Sequence, residues 1–86
     1  MVTPEAIQAY VREKIDCEHL AIEGDGAHFQ AVIVAAAFTG KSRVQRHQIV
    51  YAALGDRMRE EIHALSMQTL TPDEWSSHQA NPAINP

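Results

Sequence analysis

A histidine at the start of an alternating pattern is the first residue of this sequence with potential for chemistry. His63 stands in the run EIHALSMQTLTPDEW and shares the parity of Leu65 and Met67. Apolar residues at every second position predict a half-buried strand with this histidine at its mouth. His63 is therefore either a strand-end side chain with one satisfied hydrogen bond, or an imidazole that binds a metal or carries a proton.

A cluster of positive charge is the second candidate site. Lys41, Arg43 and Arg46 lie close together in a chain whose formal net charge is −4. They fall at the predicted start of a helix, where the macrodipole disfavours cations unless an anion lies nearby. The cluster therefore indicates a contact to phosphate or to an acidic partner, or else a solvated basic surface.

Length and composition restrict what these residues can do. The 86 residues predict one small domain, and a single cysteine permits neither an internal disulfide nor a cysteine-rich metal site. Any metal centre would thus need ligands from a partner. The sequence shows neither paired carboxylates nor a nucleophile beside a base, so an autonomous enzyme is not expected. It also lacks a signal peptide and an apolar run of about 20 residues, so we expect a cytoplasmic protein with no membrane partner.

The elements that must position the candidates begin with a capped helix and a hairpin. Thr3 and Pro4 predict a helix start, and apolar residues at helical spacing carry the helix to about Asp16. Residues 18–36 predict a β-hairpin whose tip, 24–26, is a Gly-Asp-Gly reversal that needs positive φ. The second strand is apolar on both faces towards its end, so we expect it to be the central strand.

A second long helix, a strand and a short helix complete the predicted order. Ser42 and Gln45 form a capping box, and the helix that they open is expected to run to about Glu60. Thr71 and Glu74 form another box at the start of the last helix. The residues expected to form the apolar stripe of the second helix are Val44, His47, Tyr51, Leu54 and Met58.

This order predicts an α+β two-layer sandwich, α-β-β-α-β-α, with a three-stranded mixed sheet covered by helices on one face. The third strand follows a helical crossover, so it is expected to run parallel to one strand of the hairpin. Residues 1–76 are predicted to form the domain. Residues 77–86 are small, polar and proline-containing, which is typical of a disordered tail.

Three runs of the sequence together resemble the BolA family. They are HFQAVIVAAAF, FTGKSRVQRHQIVYAAL and IHALSMQTLTPDEW, and they occur in the family's order and spacing over almost the whole predicted domain. The GDGAHFQ tip and the short chain look most like the IbaG branch. The resemblance implies a fold related to class II KH domains, and a role in stress response, acid stress in particular.

The resemblance also implies a partner and a cofactor. Members pair with a monothiol glutaredoxin and share a [2Fe–2S] cluster, to which the glutaredoxin cysteine and glutathione contribute thiols. The histidine of the Ile-His-Ala motif is a ligand, and here it is His63. A second ligand comes from the loop between the first two strands. That loop holds no cysteine here, so His28 is the candidate, with Asp25 a poorer donor, while Cys17 lies outside it. His47 matches the family's Arg-His pattern, and a structural role is favoured.

The alternative function is that of a nucleic-acid-binding regulator, which the family suggests through its KH-like fold and the transcriptional roles of BolA. Lys41, Arg43 and Arg46 would then contact phosphates, and DNA would be the partner. The acidic net charge and the missing Gly-x-x-Gly loop count against this function. Both functions are compatible with an isolated chain that is a monomer or a homodimer.

Overall fold

The computed structural model describes residues 2–62 and 64–80, except for the side chains of 59, 60 and 78–80. The helices are α1 (Pro4–Lys14), α2 (Arg43–Leu54), α3 (Arg57–Glu60) and α4 (Pro72–Ala80). The strands are β1 (His19–Gly24), β2 (His28–Val34) and β3 (Ala64–Leu70). The predicted order of elements is confirmed, with the short helix α3 as an addition. None of the helices in this described part has the length and hydropathy of a membrane span.

The three strands form one mixed sheet in the order β1-β2-β3. β1 and β2 are antiparallel, with Leu20 opposite Ile33, as the hairpin prediction required. β3 runs parallel to β2, with Ala64 opposite His28, because the chain returns through α2 and α3 to the same end of the sheet. The central position of β2 and the parallel third strand are therefore confirmed.

The core lies between one face of the sheet and the two long helices. Phe29, Ala31 and Ile33 point inward from β2, and all three are at least 95 % buried. They pack in one cluster with apolar residues of α1 and α2 such as Ile7 and Val50. The other face exposes polar residues, for example Gln30, Ser66 and Gln68. This is the two-layer sandwich that the sequence predicted.

The short helix α4 contributes to the opposite face. The ring of Trp75 stacks on His19, with ring centroids 4.5 Å apart and planes 17° from parallel. His19 has the opposite parity to the buried Leu20 and pairs with Val34, which is fully buried. The helix α4 thus partly covers one end of the outer face.

The second long helix is shorter than predicted. It ends at Leu54, and Gly55 caps it with φ +59°, outside the right-handed helical region, while its N–H donates to the Tyr51 carbonyl. A glycine in this conformation terminates a helix, because it turns the chain at little steric cost. The prediction of one helix to Glu60 was therefore wrong, and α3 is a separate turn.

The predicted apolar stripe of this helix was also wrong in part. Val44 is 66 % exposed and Tyr51 is 43 % exposed, whereas Val50, Ala53 and Leu54 are buried. The buried face is rotated relative to the predicted one, because apolar residues occur on two sides of this helix and tertiary packing selects one of them.

Both ends of the domain can be compared with prediction. Thr3 caps α1 as expected, with its Oγ1 accepting from the Ala6 N–H at 3.1 Å. At the other end α4 continues to Ala80, so residues 77–80, which the sequence assigned to the tail, are helical. Residues 81–86 of the predicted tail lie outside the described residues.

Candidate functional site

His63, the principal predicted ligand, lies outside the described residues, but both of its neighbours in the sequence are described. Ile62 is buried in the core with 3 % exposure. Ala64 is the first residue of β3 and the register partner of His28. Because β2 and β3 are parallel, the sheet brings the start of β2, which carries His28, beside the residue that follows His63.

The tip of the hairpin fixes the backbone of His28. Asp25 Oδ1 accepts hydrogen bonds from the Ala27 N–H at 2.9 Å and from the His28 N–H at 2.8 Å. These two bonds hold the pKa of the Asp25 carboxyl below its usual range, the His28 bond being the larger cause. The Asp-Gly turn therefore uses its carboxylate internally, while the His28 side chain is exposed. Of the two candidate donors in this loop, His28 is the more available.

The described donors do not form a complete metal site. They include no group of three or more histidine, cysteine, aspartate and glutamate side chains that could hold a metal ion. A cluster bound here would thus need ligands from elsewhere, as a shared cluster does. The residues present fit such an arrangement, because an exposed imidazole at a sheet end can be reached by a partner.

Cys17 lies at the opposite end of β1 from the hairpin tip. It lies half-buried before β1, with its Sγ 3.5 Å from the carbonyl oxygen of Ile15. Burial raises the pKa of the Cys17 thiol, so the thiolate that binds iron is disfavoured.

Arg46, predicted as part of a basic binding surface, lines a groove with Lys41 and Arg43 and also makes several contacts within the domain. Its guanidinium donates to both carboxylate oxygens of Glu74, at 2.7 and 3.3 Å, and to the carbonyl of Thr69 at 3.1 Å. Its Nε donates to the carbonyl of Lys41 at 3.0 Å, and its side chain is only 13 % exposed. Arg46 therefore joins the start of α2, the end of β3 and the start of α4.

Lys41 and Arg43 remain as an exposed pair beside this connection. They line a groove of about 510 Å³ between the start of α2 and the end of β3. His47 also lines the groove, and its Nε2 is buried with no hydrogen-bond partner in the described part of the chain. The positive charge available to a ligand is thus smaller than three cations imply, because the charge of Arg46 is balanced by Glu74.

The ion pair with Glu74 predicts a pH-dependent contribution to stability. Hydrogen bonds from Arg46 and from the Thr71 N–H lower the pKa of Glu74 below its usual value of 4.5. A lowered pKa stabilises the fold above the unfolded-state value, and this stabilisation is lost as pH falls through the folded-state value. We expect Glu74→Gln, which preserves the capping box, to flatten the loss of stability between about pH 5 and pH 3.

Urea unfolding of the wild type and Glu74→Gln across this range measures the effect. Arg46→Lys serves as the second variant: it retains the charge but not the bidentate geometry, and we expect it to cost about 1–2 kcal/mol at pH 7. Parallel pH profiles for the wild type and Glu74→Gln would contradict the assignment.

A second set of side-chain contacts was not predicted from the sequence. Tyr10 of α1 donates its hydroxyl to Glu61 Oε1 at 3.0 Å, across a separation of 51 residues. Arg57 of α3 lies over the Tyr10 ring, with its guanidinium carbon 3.9 Å from the centroid, and contacts Glu13 at 3.4 Å. These pairs, like Arg46 with Glu74, carry no local sequence signal, because their members meet only through the fold.

The fold and the site together define a small α+β domain with a βαβ crossover and an exposed histidine, His28, at one end of its sheet. Residues 3–74 match the sequence profile of the BolA-like protein family. The chain therefore belongs to the BolA-like family, as the three sequence runs indicated.

Individual relatives agree with this assignment. The chain is 37 % identical to acid stress protein IbaG of Escherichia coli K12 over 71 residues, covering 81 % of this chain and 84 % of the relative. It is also 37 % identical to the DNA-binding transcriptional regulator BolA of Haemophilus influenzae, covering 84 % of each. A BolA homologue from Coxiella burnetii has a similar structure, with a TM-score of 0.81 and 42 % identity, covering 88 % of this chain and 99 % of that one.

Proposed function

We propose that this chain is an adaptor that binds a monothiol glutaredoxin and shares a [2Fe–2S] cluster with it. The observation that carries the proposal is the pairing of His28 with Ala64, the residue next to His63. The parallel register sets His28, whose side chain is exposed, beside Ala64, the residue that follows His63 in the sequence. The partner and glutathione would supply the thiolates that this chain lacks.

Histidine ligation would suit a carrier or a sensor. An imidazole binds a metal only in its neutral form and is released when it is protonated, so cluster retention becomes sensitive to pH. Imidazole in place of thiolate also raises the reduction potential of the cluster. These properties support a role in iron–sulfur trafficking, iron regulation or stress response, and the E. coli relative carries the name acid stress protein. The proposal assigns no catalytic reaction to the chain.

Anaerobic cluster reconstitution tests the proposal. The wild-type chain is mixed with a monothiol glutaredoxin and glutathione, and visible circular dichroism is compared with that of glutaredoxin alone. We expect a distinct spectrum and a one-to-one heterodimer by analytical size exclusion. A spectrum identical to that of glutaredoxin alone would refute the adaptor function.

A second candidate function is nucleic-acid binding, which the exposed pair Lys41 and Arg43 favours. The H. influenzae relative is named a DNA-binding transcriptional regulator. Cations beside a groove can contact phosphates, and each such contact contributes about 0.9 to the salt dependence of the affinity for duplex DNA. Arg46 is not expected to contribute, because its guanidinium is bound to Glu74.

The double variant Lys41→Gln/Arg43→Gln is therefore expected to reduce the slope of log K against log salt by about 2. Fluorescence anisotropy with a labelled duplex measures that slope. Lys14→Gln, which removes one exposed charge from the end of α1, is the control and should leave it nearly unchanged. Equal slopes for the double variant and the wild type would exclude this pair as the DNA contact.

A further inference from the structure

The segment that leads into His63 has little secondary structure to hold it in place. α3 is a single turn of four residues, Arg57–Glu60, that follows directly on the chain reversal at Gly55. One helical turn is not stable by its own hydrogen bonds, because the conformational entropy lost in forming the first turn exceeds the free energy gained from its hydrogen bonds. The position of this segment therefore depends on its contacts with the rest of the domain.

Backbone hydrogen bonds connect this turn to the residues just before His63. The N–H groups of Glu61 and Ile62 both donate to the carbonyl of Arg57, at 2.9 and 3.0 Å. A group that fixes Arg57 or Glu61 thereby fixes the backbone at Ile62. The buried Ile62 side chain anchors the segment on the core side only.

Side chains of α1 fix the outer side of the same turn. Tyr10 holds Glu61 through its hydroxyl, while Arg57 is held between the Tyr10 ring and the carboxylate of Glu13. We call these four residues the α1–α3 latch. The hydrogen bond to the Glu61 carboxylate is the largest cause that raises the pKa of the Tyr10 phenol, as expected for a phenol that donates to a carboxylate.

We infer that the α1–α3 latch positions residues 57–62, which lead into His63, and that Tyr10 is therefore a positioning residue for the proposed shared-cluster site. The role of the latch in cluster binding rests on the proposed function. The positioning of residues 57–62 by the latch does not rest on the proposed function, because it follows from contacts within this chain. The two parts of the inference can therefore be measured separately.

Amide hydrogen exchange of the free chain tests the hold on the segment. Tyr10→Phe keeps the ring beneath Arg57 and removes only the hydroxyl. We expect the Ile62 amide to exchange about fivefold faster in this variant, as the loss of one exposed hydrogen bond implies, while the exchange of the core amide of Ile33 is unchanged. Glu61→Gln retains an acceptor and should preserve the wild-type rate. Tyr51→Phe, on the exposed face of α2, is the matched control.

Cluster reconstitution with glutaredoxin then tests the positioning role. We expect Tyr10→Phe to shorten the lifetime of the shared cluster by about the same factor and to alter its visible dichroism, with Glu61→Gln close to wild type.

Several results would overturn the inference. Equal exchange at Ile62 in the wild type and Tyr10→Phe would show that the latch does not hold the segment. If amide exchange at Ile33 in Tyr10→Phe were accelerated to the same degree, Tyr10 would contribute to global stability and not specifically to the position of residues 57–62. Faster exchange at Ile62 with an unchanged cluster lifetime would refute the positioning role. If the wild type forms no shared cluster, the proposed function fails and the positioning role with it, while the exchange data still decide the hold on the segment.

Discussion

His63→Ala is expected to abolish the shared [2Fe–2S] spectrum, while His28→Ala is expected to weaken cluster retention without eliminating the spectrum. Loss of a residue that merely supports a ligand typically costs about 10- to 100-fold in metal affinity, so loss of a ligand should cost at least the upper end of that range. His63 was chosen from a motif, whereas His28 was chosen only from its place near the hairpin tip, at the start of β2, so the loss of His28 should have the smaller effect.

Visible circular dichroism of the reconstituted heterodimer measures both effects. Glu23→Ala is the matched control, because Glu23 is exposed and lines the same shallow depression as His28 but carries no imidazole. Thermal unfolding of each variant establishes that the domain remains folded. A full-strength spectrum with His63→Ala would remove this residue from the ligand set. Equal losses from His28→Ala and Glu23→Ala would assign the effect of His28 to the local surface charge or shape.

The elements of this fold could be predicted because their signals are local. The capping box of Ser42 with Gln45 is present as expected, with bonds of 2.8 and 3.2 Å. The box of Thr71 with Glu74 is present as well, with bonds of 2.8 and 3.1 Å. Such motifs satisfy the N–H groups of a helix start with side chains three residues away, so a short stretch of sequence contains the whole interaction.

The structure's long-range pairs could not be predicted in the same way. Glu74 serves its cap and also neutralises Arg46, which precedes it by 28 residues. From the sequence, Arg46 was indistinguishable from Lys41 and Arg43, because all three are cations at one helix start. Only the return of β3 to the start of α2 separates the buried guanidinium from the exposed pair. Of the three predicted surface cations, Lys41 and Arg43 are thus exposed, while the charge of Arg46 is paired with Glu74.

The candidate ligands show a similar division. The choice of His63 came from a motif, and His28 was chosen from its place in a loop. The parallel direction of β3 could be predicted, but not the register that pairs His28 with Ala64, since a shift of one residue would turn every side chain of the strand to the other face. The hydrogen bonds of Asp25 were within reach of sequence reasoning, because an Asp-Gly turn commonly accepts backbone N–H groups two and three residues ahead.

Gly24→Ala is expected to destabilise the domain strongly, by about 2–4 kcal/mol. The sequence assigned Gly24 to the turn, but it is the last residue of β1 and lies opposite Phe29. A Cβ at this position would be 2.6 Å from Phe29 Cδ1 and 2.9 Å from Phe29 Cα, and closer still to the carbonyl oxygen of His28. Two of these three atoms belong to the backbone, so they cannot move aside without opening the hairpin.

Urea denaturation of Gly24→Ala and Gly40→Ala separates crowding from backbone strain. Gly40 has φ +77° and nothing within 4 Å of an added Cβ, so its substitution should cost only about 1 kcal/mol from conformation. Similar losses in the two variants would contradict the close packing at Gly24.

The Phe29 ring is fully buried in the core, and the His28 carbonyl belongs to a candidate ligand. A methyl group here should therefore loosen the core and displace the hairpin tip together, so that Gly24→Ala weakens both the fold and cluster retention. Gly40→Ala should weaken the fold alone.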